Sequence, residues 1–196
     1  MATSSGNGPA LRSGSLREGE SDVAAPDGGA ASAAQRVVRV AVLGDARSGK
    51  ASLVRRLITA EFDEQYLETL GIEVSELAAL EADSGVQFQI ACCSGAPRYL
   101  PIIQLNLRAV DLAILVYDVQ QAESLQRCAF WRNEVSRISP RAKQILVGTK
   151  IDVEDLVHVT EDAAQKQADA WSAAHFRVSS KDSTGITKLR DYVLAV

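Results

Sequence analysis

From residue 37 onward, short apolar runs alternate with stretches in which apolar residues recur every three or four positions. Three runs rich in Val, Ile and Leu are typical of strands that are covered on both faces. These runs are 37–43, 112–116 and 145–147. Two stretches with helical spacing, 50–60 and 122–138, separate them, and the second ends before Pro140. The alternation predicts an α/β fold with a mostly parallel sheet and helices on both faces.

The remaining pattern completes a six-stranded sheet. Residues 72–80 and 86–92 are predicted as two strands joined by a tight turn at 82–85, which makes an antiparallel hairpin with the former strand at the edge. A helix is expected from Thr160, whose hydroxyl caps a first turn rich in acids. The last strand and the closing helix are predicted at 176–178 and 185–196.

Residues 1–36 are rich in Ala, Gly and Ser and have almost no large apolar side chains. Such a composition cannot bury enough apolar surface to offset its ordering entropy, so a disordered N-terminal tail is predicted ahead of one domain at 37–196. Arg12 and Arg17 among serines leave an organellar targeting segment as an alternative, although acidic residues nearby count against it.

The chain is acidic, with a net charge of −4 and a pI near 5.3, so it offers no basic surface for nucleic acid as a partner. Three cysteines fit neither a disulfide framework nor a zinc spacing, which favours a reducing, cytoplasmic setting. No apolar run reaches the roughly 18 residues that span a bilayer. The chain has no Gly at position 2 and no cysteine near its end, so we expect no direct lipid anchor, and membrane association would need a partner.

The segment that follows the first predicted strand carries recognisable chemistry. It is Gly44-Asp45-Ala46-Arg47-Ser48-Gly49-Lys50. In a G-x-x-x-x-G-K-[S/T] loop between a strand and a helix, backbone N–H groups surround phosphates, the lysine reaches the outer oxygens and the final hydroxyl holds Mg²⁺. Only that hydroxyl is missing here, because the next residue is Ala51. The segment predicts a phosphate site, with a glycine turn that binds no nucleotide as the alternative.

Further motifs extend this loop into a family pattern. They are Ser52-Leu53 after the loop, Phe62 followed by Thr69, Thr149-Lys150-Ile151-Asp152, and Ser179-Ser180-Lys181. In order and spacing the chain resembles the Ras superfamily of small GTPases over residues 37–196, nearest to the Rab branch. The resemblance implies a P-loop G domain that takes GTP or GDP as its cofactor.

The resemblance also implies a role for each motif. Asp152 would accept hydrogen bonds from guanine, Lys150 would lay its aliphatic stem over the base, and Thr149 would tie this loop to the phosphate loop. The backbone N–H of Ser180 would face the guanine carbonyl, and Phe62 would pack on the edge of the base. The residues thereby assigned to the nucleotide are Gly44, Asp45, Ala46, Arg47, Ser48, Gly49, Lys50, Ala51, Ser52, Phe62, Thr69, Gly95, Thr149, Lys150, Asp152, Ser179, Ser180 and Lys181.

The chain departs from the family pattern where Mg²⁺ and the attacking water are handled. In Rab proteins an Asp anchors Mg²⁺ through water and a Gln orients the attacking water. By the resemblance, Cys92 and Ala96 occupy these positions, and Gly95 alone is kept from that run. With Ala51 at the first ligand position, Thr69 is the one metal residue left. Mg²⁺ binding therefore stays open, and no catalytic residue is assigned.

Two residues offer substitutes for the missing groups. Ser52 is a candidate ligand, but on a helix it lies about 100° around the axis from Ala51. Arg47 is a candidate arginine finger, with a solvated loop arginine as the alternative. Adjacent cysteines rarely satisfy disulfide geometry, so Cys92 and Cys93 are interpreted as alternating strand positions rather than as a redox pair.

The sequence thus predicts a Rab-like small GTP-binding protein with weak or absent GTP hydrolysis that acts by binding partner proteins, in intracellular transport. Residues 70–77 and 99–107 flank the nucleotide in the resemblance and are the expected docking surface, unless their apolar side chains belong to the core. One alternative is a pseudo-GTPase that serves as a nucleotide-independent scaffold, which the retained Lys50 and Asp152 count against. Another is a competent GTPase of vesicle traffic.

Overall fold

A computed structural model of the chain describes residues 36–65, 67–79 and 85–196, so residues 1–35 of the predicted tail and residues 82–84 of the predicted turn lie outside the described residues. Six strands form one sheet in the order β2-β3-β1-β4-β5-β6. The strands are β1 Arg36–Gly44, β2 Ile72–Leu77, β3 Val86–Cys93, β4 Leu112–Asp118, β5 Lys143–Thr149 and β6 Ala174–Arg177. β2 pairs antiparallel with β3 at the edge, and the other pairs are parallel. The predicted α/β fold class is confirmed.

The described part of the chain contains five α-helices, of which the first four lie between strands and the last follows β6. They are α1 Lys50–Thr59, α2 Leu100–Leu107, α3 Ala122–Ile138, α4 Glu161–Ala170 and α5 Ile186–Leu194. Short 3-10 helices occur at Pro97–Tyr99 and Glu154–Leu156. α4 begins as predicted, because the Thr160 hydroxyl accepts from the backbone N–H of Ala163. Among the described residues, no helix has both the length and the apolar character needed to cross a membrane.

Each face of the sheet carries its own apolar core. Val38, Val40 and Val42 of β1 pack on one face with α1 and α5, whereas Ala41 and Leu43 pack on the other with α2, α3 and α4. Alternate side chains of a strand point to opposite faces, so a strand buried on both sides needs apolar residues at every position. This explains the uninterrupted apolar runs in the sequence.

The same alternation separates two neighbouring cysteines. Cys92 belongs to the core beneath α1, and Cys93 belongs to the core on the opposite face. Both thiols are free, which agrees with the prediction of alternating strand positions.

Several strands run further than their apolar residues suggested. β4 and β5 stay paired as far as Asp118 and Thr149, because a backbone ladder continues through polar side chains as well as apolar ones. β1 begins one residue earlier than predicted, at Arg36, whose backbone N–H donates to the carbonyl of Gly85 at 2.9 Å. β2 ends at Leu77, three residues before the predicted end.

The strand order places a cleft at the carboxyl ends of the strands. β1 lies between β3 and β4, so the connections that leave β1 and β3 diverge to opposite sides of the sheet. In open α/β sheets, ligands bind in the crevice at such a switch point. Loops that follow β1, β3, β5 and β6 all reach this crevice.

Candidate nucleotide-binding site

A cavity of about 510 Å³ occupies this crevice, a size typical of sites for small organic ligands. Most of the predicted binding residues line it. They are Ala46, Arg47, Gly49, Lys50, Ala51, Ser52, Phe62, Thr69, Gly95, Thr149, Lys150, Asp152, Ser180 and Lys181. Four others do not line the cavity. They are Gly44, Asp45, Ser48 and Ser179.

The phosphate loop places a buried ammonium group at the start of α1. Lys50 is 6% exposed, and its Nζ donates to the backbone carbonyl of Asp45 at 2.6 Å across the loop. Burial lowers the pKa of Lys50, because a charged group loses hydration there. A phosphate in the cavity would place further negative charge beside this ammonium, and the N–H groups at the start of α1 favour the same anion.

Two glycines keep the loop close to its neighbours. A Cβ on Gly44 would fall 2.2 Å from the carbonyl oxygen of Val116, and its φ of 150° is one that residues with side chains rarely adopt. A Cβ on Gly95 would fall 2.2 Å from the backbone nitrogen of Ala46. A side chain at Gly44 would therefore push the start of the phosphate loop away from β4, and a side chain at Gly95 would push the segment after β3 away from the phosphate loop.

The side of the cavity that is predicted to read the base is built around Asp152. Its Oδ1 accepts from the hydroxyl of Ser179 at 2.8 Å, and Ser179 Oγ in turn accepts from the backbone N–H groups of Lys181 and Asp182. Ser179 is fully buried whereas Asp152 is exposed to the cavity. One serine hydroxyl therefore orients the carboxylate and shapes the loop that faces it.

Thr149 and Lys150 connect this side to the rest of the cleft. The buried Thr149 hydroxyl shares its proton between the carbonyls of Ser48 and Tyr117, at 2.7 and 3.0 Å. Lys150 Nζ pairs with the carboxylate of Asp118 at 2.6 Å, where Asp118 is 1% exposed. With its head held at the end of β4, the Lys150 side chain lines the cavity along its stem.

The magnesium position does not fit a cation held by the protein. Ala51 has no ligand atom, and the Cys92 thiol is soft whereas Mg²⁺ prefers hard oxygen ligands. Burial raises the pKa of Cys92, so the thiol stays protonated. The buried Thr69 hydroxyl lies 3.9 Å from Cys92 Sγ. No cluster of three or more ionisable ligands is present in the described part of the chain, and Thr69 as a metal ligand remains a prediction.

The residues expected near an attacking water bring no catalytic group. The backbone N–H of Ala96 donates to Ser94 Oγ at 3.2 Å, and its methyl side chain has nothing to hold a water. Arg47 is exposed at the cavity wall with a φ of 62°, and Ser52 lines the cavity together with Ala51. Their assignment as finger and substitute ligand stays open.

Sequence patterns missed several residues that shape the cleft. Asp118 is the last residue of β4, and no sequence motif around it identifies it as the partner of Lys150. Arg56 contacts the 179–181 loop from α1, at a separation of more than 120 residues. Gln120 and Ser94 line the cavity from the ends of β4 and β3. Each of these contacts depends on sheet order, which no local motif records.

Comparison with known proteins agrees with this geometry. The family model "Ras family" matches residues 39–194. Ras-related protein Rab5 of Nicotiana tabacum is 30% identical over 152 residues, covering 77% of this chain and 76% of the relative. An intraflagellar transport protein 27 homologue of Trypanosoma brucei brucei is 29% identical over 159 residues, covering 80% and 87%. Ras-related protein Rab-7a of Paramecium octaurelia is 29% identical over 166 residues, covering 80% and 79%. The chain belongs to the Ras family of small GTPases and is Rab-like, and guanine nucleotide binding is what this fold implies.

Proposed function

We propose that this chain binds GDP and GTP in the cleft described above, hydrolyses GTP slowly or not at all, and acts in intracellular transport by binding partner proteins. One observation carries the proposal. A single cavity joins a phosphate loop that keeps its glycines and Lys50 to the carboxylate of Asp152, while Ala51, Cys92 and Ala96 stand where a competent GTPase handles the cation and the water.

Nucleotide binding is supported by chemistry that the fold does not otherwise need. Burying Lys50 costs free energy unless an anion reaches it, and the group that its Nζ contacts within hydrogen-bond distance is the neutral carbonyl of Asp45. Asp152 exposes a carboxylate to the cavity, with Ser179 holding one of its oxygens. A carboxylate that accepts from two donors on guanine discriminates against adenine, which presents different groups at the same positions.

Slow hydrolysis follows from the missing donors and acceptors. Loss of one group that stabilises the transition state costs roughly 10²–10³ in rate. Ala96 cannot orient water, and neither Ala51 nor the protonated Cys92 thiol holds a hard cation near the phosphates. The cavity residues that the structure describes thus suit binding and orientation of a nucleotide, but Ala51, Cys92 and Ala96 bring no group that assists its cleavage.

Partner binding is supported by apolar side chains on one side of the cleft. Several are more than half exposed, which is uncommon for neighbouring large apolar residues on a monomer. They are Leu67, Leu70 and Val74 before and within β2, and Ile102 and Leu105 on α2. The two groups are linked, because Arg98 pairs with Glu68 at 3.0 Å. A docking surface across both segments fits this arrangement.

The same segments also contribute to the core. Leu77, Ile103 and Leu107 are almost fully buried. Some apolar side chains of 70–77 and 99–107 therefore pack in the core and others are exposed, and only the exposed ones are available to a partner. The names of two relatives, a Rab5 and an intraflagellar transport protein 27 homologue, support transport as the setting.

The proposal is tested on freshly purified full-length protein. Nucleotide released by denaturation is identified by chromatography, and single-turnover phosphate release is measured on GTP-loaded protein. We expect guanine nucleotide and a rate near the buffer background. The triple variant Ala51→Ser, Cys92→Asp and Ala96→Gln should release phosphate faster. A folded wild-type protein that binds neither GDP nor GTP would overturn the proposal in favour of a nucleotide-independent scaffold, and fast wild-type turnover would overturn the slow-hydrolysis part.

A further inference from the structure

One arginine outside the nucleotide motifs joins three parts of the cleft. Arg56 lies in the last turn of α1 and is half-buried. Its Nε donates to the carbonyl of Ser180 at 2.6 Å, and its Nη2 donates to the carbonyl of Lys181 at 2.9 Å. Its Nη1 donates to the carbonyl of Ala60, which caps the same helix. The guanidinium carbon also lies 5.9 Å from the ring centroid of Phe62.

These contacts fix the peptide planes of the loop that closes over the base position. A peptide unit is planar, so holding the Ser180 carbonyl also orients the N–H of Lys181. That N–H donates to Ser179 Oγ at 3.1 Å, and Ser179 Oγ donates to Asp152 at 2.8 Å. A continuous chain of hydrogen bonds therefore runs from Arg56 to the carboxylate that faces the cavity.

Arginine is well suited to hold the two carbonyls of the 179–181 loop. A guanidinium offers five donors in a rigid plane, so it binds adjacent carbonyls with little loss of side-chain freedom per bond. Charge-assisted hydrogen bonds are roughly twice as strong as those between neutral groups. Lysine at this position would present a point charge and satisfy the two loop carbonyls less well. The contact to Phe62 extends the link to the aromatic ring at the cavity wall.

We propose that Arg56 is a positioning residue that ties α1 and Phe62 to the 179–181 loop and thereby slows release of the bound guanine nucleotide. The proposal rests on the proposed function and names a determinant of residence time that the nucleotide motifs do not contain. Arg56 touches the loop backbone rather than the base, so its removal should raise the dissociation rate and leave the association rate nearly unchanged.

The first experiment follows release of fluorescent GDP by stopped flow from the wild type, Arg56→Gln and Arg56→Lys. We expect release to accelerate by roughly tenfold or more in Arg56→Gln, since charge-assisted hydrogen bonds are lost, with an intermediate rate for Arg56→Lys. Arg137→Gln is the matched control, because Arg137 makes a comparable paired contact with Glu134 on exposed α3. Release from Arg56→Gln within about twofold of the wild-type rate would overturn the proposal.

A second experiment measures amide hydrogen exchange in the nucleotide-free proteins, with thermal melts to confirm folding. The backbone N–H groups of Lys181 and Asp182 depend on Ser179 Oγ, so they should exchange faster in Arg56→Gln than in the wild type while β4 and β5 exchange at wild-type rates. Unchanged exchange at 181–182 would overturn the positioning role even if release were faster. If the wild type binds no guanine nucleotide, the proposed function fails by itself and exchange still decides the role of Arg56 in the loop.

Discussion

The hydroxyl of Thr149 donates to the backbone carbonyl of Ser48 at 2.7 Å, and this bond joins the proposed base-reading loop to the proposed phosphate loop across 101 residues of sequence. Both residues are buried, so water does not compete for either group. Gly49 and Lys50 follow Ser48, and Lys150 and Asp152 follow Thr149, so the bond fixes the predicted phosphate and base positions relative to each other. A ligand that spans both would meet a site that is already assembled.

Thr149→Val should lower the free energy of unfolding and speed the release of GDP, because it removes this bond. Valine keeps the shape of threonine but has no donor, so two buried carbonyls lose their hydroxyl partner at a cost of about 1–3 kcal/mol. We expect that loss in the free energy of unfolding from urea titration, together with faster release of GDP. Thr187→Val on the exposed face of α5 is the control and should change neither quantity. Equal stability of Thr149→Val and wild type would contradict the prediction.

Gly95→Ala should weaken nucleotide binding through sterics alone. The added methyl would lie 2.2 Å from the Ala46 backbone nitrogen, so the phosphate loop has to move. Overpacking of this kind costs about 1–3 kcal/mol, and we expect GDP affinity to fall roughly tenfold or more in a fluorescence titration. Gly85→Ala adds a methyl that meets no atom within 4 Å and should leave affinity unchanged despite some backbone strain. A GDP affinity of Gly95→Ala equal to that of the wild type would contradict the prediction.

Magnesium should contribute little to affinity in this chain. Ala51 and Cys92 provide no hard ligand, so GDP affinity with excess chelator should lie within about threefold of that with Mg²⁺, a difference under ~1 kcal/mol. Calorimetry on emptied protein measures both values. Ala51→Ser, which returns a hydroxyl to the loop, should restore a dependence on the ion, whereas Ala170→Ser on exposed α4 should not. A strong dependence in the wild type would show that Thr69 or Ser52 holds the ion after all.

The free energy of unfolding should decrease as the pH is lowered, because His175 takes up a proton more readily in the unfolded chain. Burial lowers the pKa of this imidazole below its ordinary 6.5, and its Nε2 lies 3.0 Å from the Tyr117 hydroxyl. A depressed folded-state pKa means that the unfolded chain takes up a proton first, so stability is complete above about pH 6.5 and declines as pH drops toward the folded value. Urea unfolding about one unit above and below pH 6.5 measures this.

Substitution of each histidine separates this effect from other titrations. His175→Gln removes the titrating group and should flatten the decline between the two pH values. His158→Gln changes an exposed histidine and should keep it. The same slope in His175→Gln as in the wild type would assign the pH dependence to other groups.

Local patterns predicted most of the fold and the main binding motifs. The apolar runs placed β1, β4 and β5 because a strand covered on both faces needs apolar residues throughout, and the glycines with Lys50 placed the phosphate loop because backbone approach and charge are local requirements. The predicted ends of β4 and β5 fall short of the observed ends, because Asp118 and Thr149 stay paired in the sheet without being apolar. Periodicity describes side-chain burial and does not register backbone pairing.

Local sequence patterns could not predict contacts between segments that are distant in the chain. The pairing of Lys150 with Asp118 and the contact of Arg56 with the 179–181 loop depend on β4 and β5 being neighbours and on α1 lying beside α5. Likewise, sequence alone left it open whether the apolar residues of 70–77 were core or surface. Packing decides that Leu77 is buried while Val74, three positions earlier, is 60% exposed.

Selection of guanine nucleotide through Asp152 is the property on which the proposed function depends most. Its most direct test is displacement of fluorescent GDP by unlabelled GTP and ATP from the wild type, Asp152→Asn and the exposed control Asp155→Asn. Asparagine keeps an acceptor for Ser179 but replaces the other carboxylate oxygen with a donor. We expect strong preference for GTP in the wild type and Asp155→Asn, and loss of that preference in folded Asp152→Asn. Unchanged preference for GTP in Asp152→Asn would contradict the account.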